Sequence, residues 1–373
     1  MIIGLLKENN GENRVALLPE SVAAFVKLNT KVIVEKDAGI SAFASDDDYI
    51  KAGAEIVSRD DVFSKAQLII KIHPLDIAEN SKLKENTVFV ATINPFFNTE
   101  IVKDLQNRSI TSFSLETIPR TSRAQAMDIL SSMATVSGYK AVLESALNLP
   151  KFFPMFMTAA GTITPAKMLI LGAGVAGLQA VATARKLGAV VEVFDVRSAV
   201  KEEVMSLGAK FVEVEGAVDD KSAGGYAVEQ TEEFKQKQAA LIHEHAIKSD
   251  VIITTAAIPG KKAPILIKKE TILAMKPGSV LIDLAASTGG NCEFTKNNEV
   301  VIENGVKIIG KSNYPSEMPS DASKMFGKNV INFVKLMITK EGELNLNFED
   351  DLIKGTCITH NKEIINERVK AIL

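Results

Sequence analysis

The chain has 373 residues, 46% hydrophobic and 24% charged, with a formal net charge of −3. Its length allows two or three domains, each with a core of its own, and the composition is that of an ordinary globular protein. The charge excludes an electrostatic case for nucleic acid, and two cysteines far apart argue against a disulfide framework or a metal site.

The opening MIIGLLKENN has a short apolar start and no basic flank, so it reads as a first strand and not as a signal peptide. Strand character recurs at residues 1–6, 31–35, 68–72, 88–92 and 110–115. A helix is expected at 20–28, a loop with a short helix at 39–52, and further helices before and between the later strands. This alternation predicts a parallel sheet with helices on both faces, here without a glycine fingerprint. A long helical pattern follows at 124–147, with Ser122-Arg123-Ala124-Gln125 as a capping-box spacing at its start. Pro150 and Pro154 end that region.

Residues 167–195, KMLILGAGVAGLQAVATARKLGAVVEVFD, read as strand, glycine turn, helix, strand and acid. In the G-x-G-x-x-G pattern, Gly172 permits the tight turn, Gly174 lets a pyrophosphate approach the backbone, and Gly177 lets helix and sheet pack closely. The helix from Val175 aims free N–H groups at the phosphates. Asp195 stands about 20 residues beyond the glycines, where a carboxylate accepts from the adenosine ribose hydroxyls and repels a 2′-phosphate. NAD(H) is therefore favoured over NADP(H), although Arg197 nearby could accommodate such a phosphate. The apolar stretch 168–184 imitates a membrane span, but its glycines fit the strand-and-helix reading better, and no transmembrane helix is predicted.

Beyond Asp195 the pattern gives a helix at 200–207, a strand at 210–214, a polar loop at 215–230, a helix at 230–248, and strands at 251–255, 279–284 and 306–309. A helix at 321–338 places Phe326, Val330, Phe333, Val334 and Met337 on one face and returns the chain to the first domain. The segments 344–348 and 355–359 alternate like strands and are expected to pair as a hairpin. The four histidines make no metal-ligand spacing, so no metal site is expected. The fold class is α/β: two Rossmann-like doubly wound parallel-sheet domains linked by long helices. The first is discontinuous, 1–125 plus 325–373, and the second, with the linker helices, is 126–324.

KENNGENRVALLPE at residues 7–20 resembles the N-terminal signature shared by alanine dehydrogenases and the NAD(H)-binding subunit of proton-translocating NAD(P) transhydrogenases, and 169–195 resembles the family's second signature. The similarity covers essentially the whole chain. Alanine dehydrogenases grip the substrate carboxylate with an arginine and a lysine, which Arg14 and Lys71 match. Their histidine and aspartate near the reacting carbon are replaced here by Thr92 and Ser287, which removes the acid and base that deamination requires. Hydride transfer between two nicotinamides needs position and orientation instead.

PRTSRAQAMDILSS at 119–132 resembles the transhydrogenase segment that carries an arginine, a glutamine and an aspartate near the nicotinamide. The resemblance assigns these to Arg120, Gln125 and Asp128, with Ser131 in the same neighbourhood. SAGGYA at 222–227 resembles the mobile loop whose tyrosine, here Tyr226, closes over the nucleotide. Further nucleotide contacts implied are Ser122, Arg123, Val175, Ala176, Val196, Gly225, Gln238 and Ala257. Two departures are Ala257, where leucine is frequent, and Met133, where glutamine is common.

The resemblance implies an NAD(H)-binding component that passes hydride directly to NADP+ on a partner domain, coupled to proton translocation by a membrane-spanning partner. It also implies a homodimer in the cytoplasm, peripheral on the inner face of the membrane. With no span and no second fingerprint in the sequence, the proton channel and the NADP(H) site are expected on other polypeptides. An amino-acid dehydrogenase and a non-catalytic NAD(H)-sensing protein are the alternatives.

Overall fold

A computed structural model describes residues 1–9, 11–214, 231–257 and 260–373. The chain divides into two compact units: Met1–Met133 with Pro315–Leu373 (unit 1), and Ala134–Tyr314 (unit 2). The 20-residue helix Ile129–Asn148 carries the chain across the first division.

Unit 1 begins with six strands: β1 (Ile2–Leu5), β2 (Lys31–Glu35), β3 (Ala54–Val57), β4 (Leu68–Ile70), β5 (Val88–Ala91) and β6 (Thr111–Ser114). Unit 2 adds an isolated hairpin, β7 (Phe156–Thr158) with β8 (Gly161–Ile163). Its main sheet holds β9 (Lys167–Leu171), β10 (Val190–Phe194), β11 (Lys210–Val212), β12 (Val251–Thr254), β13 (Val280–Asp283), β14 (Val300–Glu303) and β15 (Val306–Ile309). The chain returns to unit 1 with β16 (Cys357–His360) and β17 (Glu363–Ile364).

Both sheets have the doubly wound order expected. Unit 1 reads β17-β16-β6-β5-β4-β1-β2-β3 and unit 2 reads β11-β10-β9-β12-β13-β15-β14. The strands are parallel except for antiparallel additions at one edge of each sheet, β16 and β17 in unit 1 and β14 in unit 2. Alternation along each central strand splits the core between the two faces. Ile3 and Leu5 join one cluster of unit 1, while Leu6 and Ile33 join the other. Met168 and Ile170 join one cluster of unit 2, while Leu169 and Leu171 join the other.

Three expectations are corrected. The long helix does not start from a capping box at Ser122. Ser122–Met127 winds as a 3-10 turn with no side-chain cap, and Asp128 caps Ile129–Asn148 by accepting from the Ser131 N–H at 3.0 Å and the Ser131 hydroxyl at 2.6 Å. No hairpin forms from 344–348 and 355–359. Asp350 caps a helix at Asp351–Thr356, accepting from Leu352 N at 2.9 Å, and β16 pairs instead with β6 and β17. Four short strands, β3, β7, β8 and β14, are absent from the sequence reading because three or four residues carry too little periodicity to separate them from loop.

The amino edge of the unit 2 sheet is tied at Asp250, whose carboxylate accepts from Lys151 Nζ (2.9 Å), Lys167 N (2.9 Å) and Lys276 Nζ (3.2 Å). Burial alone would raise its pKa, but these donors outweigh it and hold the carboxyl below its usual range. A depressed pKa contributes stability that is complete above the unfolded value and lost as pH falls through the folded one. Asp250→Asn is therefore expected to destabilise unit 2 at pH 7 by about 1–3 kcal/mol. In thermal unfolding followed by circular dichroism, the gap to the unaltered chain should begin to close below about pH 4. A gap that is constant down to acid unfolding contradicts the assignment.

Candidate nucleotide site

β9 delivers the chain into the turn Gly172–Gly177. Gly172 has φ +104°, which favours glycine, and its N–H donates to Phe194 O at 2.8 Å. Gly177 lies inside the helix Val175–Lys186, where a Cβ would fall 1.9 Å from Gly172 O, so helix and turn touch backbone to backbone. Gly174 is different. Its φ is −75°, open to any residue, and a Cβ there would meet no protein atom within 4 Å. Neither strain nor packing asks for glycine at that position, whereas a phosphate group approaching the helix N-terminus does. No side chain caps that N-terminus, which leaves its first N–H groups for a ligand.

Asp195 follows β10 and reaches back to the turn, its Oδ2 accepting from Ala173 N at 2.7 Å. The same carboxylate takes the Arg197 backbone N–H (2.9 Å), Nε (2.9 Å) and Nη2 (2.7 Å). The two residues that pull cofactor preference in opposite directions are thus one ion pair, and ribose hydroxyls seeking Asp195 must displace the guanidinium. On the other side, Thr255 follows β12, and its hydroxyl donates to Leu171 O (3.3 Å) and Gly172 O (3.2 Å). Val175 is exposed at the first turn of the helix, and Ala176 and Val196 are half-buried. Ala257 is exposed and Gln238 is half-buried on the helix Glu232–Ala246. Gly225 and Tyr226 lie outside the described residues.

In unit 1, the segment from Pro119 to Asp128 is held by the returning chain. Ala126 O accepts from Asn329 Nδ2 (2.9 Å) and Asn332 Nδ2 (3.0 Å) of the helix Pro319–Val334. Arg123 pairs with Asp350 and Asp351, and Pro119 packs so tightly on Gly355 that a Cβ there would sit 2.4 Å from Pro119 Cγ. Between these anchors Arg120, Ser122 and Gln125 are exposed, while Asp128 and Ser131 are half-buried in the helix cap.

Unit 1 repeats the outline of the nucleotide site without its glycine turn. Lys7 N, just past β1, donates to Glu35 Oε2 at the end of β2 at 2.7 Å, as Ala173 N does to Asp195. The crevice where strand order reverses, between β1 and β4, is filled. Lys71 Nζ lies 2.8 Å from Glu8 Oε2 with both side chains buried, and Glu8 also accepts from Ile72 N and His73 N. Arg14 forks onto Glu12 at 2.8 and 2.6 Å, and His73 Nε2 lies 2.8 Å from the same carboxylate. Burial would raise the Glu12 pKa, but hydrogen bonds from Arg14 and His73 hold it well below the usual carboxylate range. Both basic side chains that match the dehydrogenase carboxylate grip are therefore committed to carboxylates of the chain itself.

Among the described residues no group of side chains could hold a metal ion. Burial pushes the thiols of Cys292 and Cys357 up to about 11 and about 12. Sequence reasoning misses Thr255, the asparagines that fix Ala126, and Asn291, which binds the loop after β12. Each acts on a segment remote in sequence, and only the Gly289-Gly290 pair before Asn291 gives a signal.

Two doubly wound units, one with a complete dinucleotide turn and one with its switch point closed, define the class. The chain belongs to the alanine dehydrogenase/PNT family, matching its N-terminal domain over residues 4–137 and its C-terminal domain over 141–367. It is 45% identical over 376 aligned residues to the first portion of NAD(P) transhydrogenase subunit alpha from Rhodospirillum rubrum, a separate chain there, covering 98% of each. It is 44% identical to NAD(P) transhydrogenase subunit alpha of Haemophilus influenzae, across 98% of this chain and 72% of that one. The crystal structure of transhydrogenase from Sinorhizobium meliloti superposes with a TM-score of 0.90 at 41% identity, covering 98% of this chain and 100% of that one.

Proposed function

We propose that this chain is the NAD(H)-binding component of a proton-translocating NAD(P)+ transhydrogenase. The observation that carries the reading is Gly174, a glycine required by neither backbone nor packing at the N-terminus of an uncapped helix. The turn Gly172–Gly177 would hold the pyrophosphate, and Asp195, once Arg197 swings aside, the adenosine ribose. The bound nicotinamide supplies the hydride, which passes directly to NADP+ on a partner domain. Arg120, Gln125, Asp128 and Ser131 are assigned to orienting that ring, with Ser122, Arg123, Val175, Ala176, Val196, Gly225, Gln238 and Ala257 as further contacts and Tyr226 as the residue that closes over it. The transfer calls for no acid or base from the chain, in keeping with Thr92 and Ser287 where alanine dehydrogenases place a histidine and an aspartate.

The coupling to protons is assigned to a membrane-spanning partner. No helix among the described residues is long and apolar enough to cross a bilayer, and the relatives are themselves named as subunits. A cytoplasmic place on the inner membrane face follows from that partnership. A homodimer is supported by the β7–β8 hairpin, which exposes Met155 (57%), Phe156 (41%) and Met157 (78%). A lone two-stranded hairpin is marginal in water, and a cluster of exposed apolar side chains favours association.

The test is to mix the chain with an NADP(H)-binding domain and follow hydride transfer. Transfer should require both components, and substantial NADH-to-NADP+ turnover by the chain alone defeats the proposal. Gln125→Asn should slow transfer by about 100-fold, the order of effect a small misplacement produces, with NADH affinity nearly unchanged. Undiminished transfer in that variant removes Gln125 from the mechanism. Alanine-dependent NAD+ reduction would instead favour the dehydrogenase reading, which the buried pairs of Arg14 and Lys71 disfavour.

A further inference from the structure

Asn291 is completely buried and every hydrogen-bonding group it offers is used. Its Oδ1 accepts from Ala256 N at 3.1 Å, and its Nδ2 donates to Ala256 O and Pro264 O, both at 2.8 Å. Its own backbone N–H donates to Asp283 Oδ2 at 2.7 Å, and its carbonyl accepts from Leu266 N (2.8 Å) and Ile267 N (2.9 Å). The side-chain amide thus mimics a peptide and locks both polar groups of Ala256. It also fixes Pro264, where the segment leaving β12 comes back.

The sheet order gives this clamp a direction. β9, which ends in the glycine turn, lies between β10 and β12. Asp195 follows β10 and Ala256 follows β12, so they border the turn on opposite sides. An NAD(H) molecule with its adenosine ribose at Asp195 and its pyrophosphate at the turn must continue towards the β12 side. The Ala256 peptide is close to the turn, since a Cβ on Gly172 would sit 3.5 Å from Ala256 N.

We infer that Asn291 is a positioning residue for the nicotinamide half of NAD(H), fixing the Ala256 peptide as the wall that this half meets. The inference rests on the reading that NAD(H) occupies the Gly172–Gly177 turn. Asn291→Asp is nearly isosteric but turns an oxygen towards Ala256 O and Pro264 O, so two acceptors lose their donor and face a third. Asn291→Ser, which leaves a small hydroxyl, is the milder variant should the first not be isolated folded.

The experiment measures dissociation constants of the full chain for NADH and for ADP, which carries only the adenosine and pyrophosphate portion. Either variant should weaken NADH by about tenfold or more while ADP stays within about twofold. As a control at the opposite edge of the sheet, Asp250→Asn should lower the melting temperature yet leave both affinities within about twofold. Equal losses for NADH and ADP would reduce Asn291 to general support of the unit, and unchanged NADH affinity would also overturn the inference. Failure of the unaltered chain to bind NADH would overturn the underlying site reading as well. Binding by the unaltered chain with no selective loss in the variants overturns the role of Asn291 alone.

Discussion

Gly174→Ala is expected to leave the fold intact and to weaken NADH binding by about 100-fold, or about 2.7 kcal/mol. The added methyl would meet no protein atom within 4 Å, and the backbone at φ −75° accepts alanine without strain. Restricting the unfolded chain should even raise stability slightly. The same methyl, however, stands where the phosphates must approach the helix N-terminus. Gly177→Ala separates the two demands. Alanine gains about 1 kcal/mol over glycine inside a helix, but here its Cβ would lie 1.9 Å from Gly172 O and 2.9 Å from Gly172 C. Backbone cannot yield as a side chain end can, so the clash wins and the turn must open. This variant should lose both NADH affinity and several degrees of melting temperature, the scale of a 1–3 kcal/mol overpacking cost, about 2–4 °C per kcal/mol. Fluorescence titration and thermal unfolding of both variants decide the matter. Undiminished NADH affinity in Gly174→Ala would show that the turn is not a phosphate site.

The second large effect is expected at the closed switch point of unit 1. Removing one partner of a buried ion pair strands the other charge and typically costs about 3–5 kcal/mol. Lys71→Met leaves Glu8 with the N–H groups of Ile72 and His73 as donors, so its loss should fall at the lower end of that range. Glu8→Ala leaves the Lys71 ammonium buried without its carboxylate and strips both N–H groups of their acceptor, so its loss should be the larger. Urea unfolding of the two variants tests the ranking. Equal stabilities, or a more damaging Lys71→Met, would mean that Glu8 does not organise this end of β4.

What is legible in the sequence is mostly local. The nucleotide turn can be read because its requirements are met within one βαβ unit: the glycines, the helix they open, and Asp195 at the end of the next strand. The doubly wound order follows from the alternation of strands and helices, because right-handed crossovers leave few arrangements. The absence of the dehydrogenase acid and base is equally plain from Thr92 and Ser287.

Expectation and structure part where a short pattern has more than one solution. Alternation at 355–359 suits a strand, yet the Asp350 cap makes a helix of Asp351–Thr356, and the strand begins only at Cys357. Ser122 and Gln125 have capping-box spacing, but the better acceptor, Asp128, stands a few residues further on and takes the cap.

The sequence by itself determined the fold class, the glycine turn and its acid, because those depend on neighbours within a strand, turn and helix. Only the tertiary structure decided which charges are spent internally: Lys71 on Glu8, Arg14 on Glu12, and Arg197 on Asp195. It alone brought Asn329 and Asn332 to Ala126, and Asn291 to Ala256. A side-chain hydrogen bond across a long stretch of chain has no period and no motif. It exists because the packed sheet brings the two ends together, and burial makes leaving either end unpaired costly.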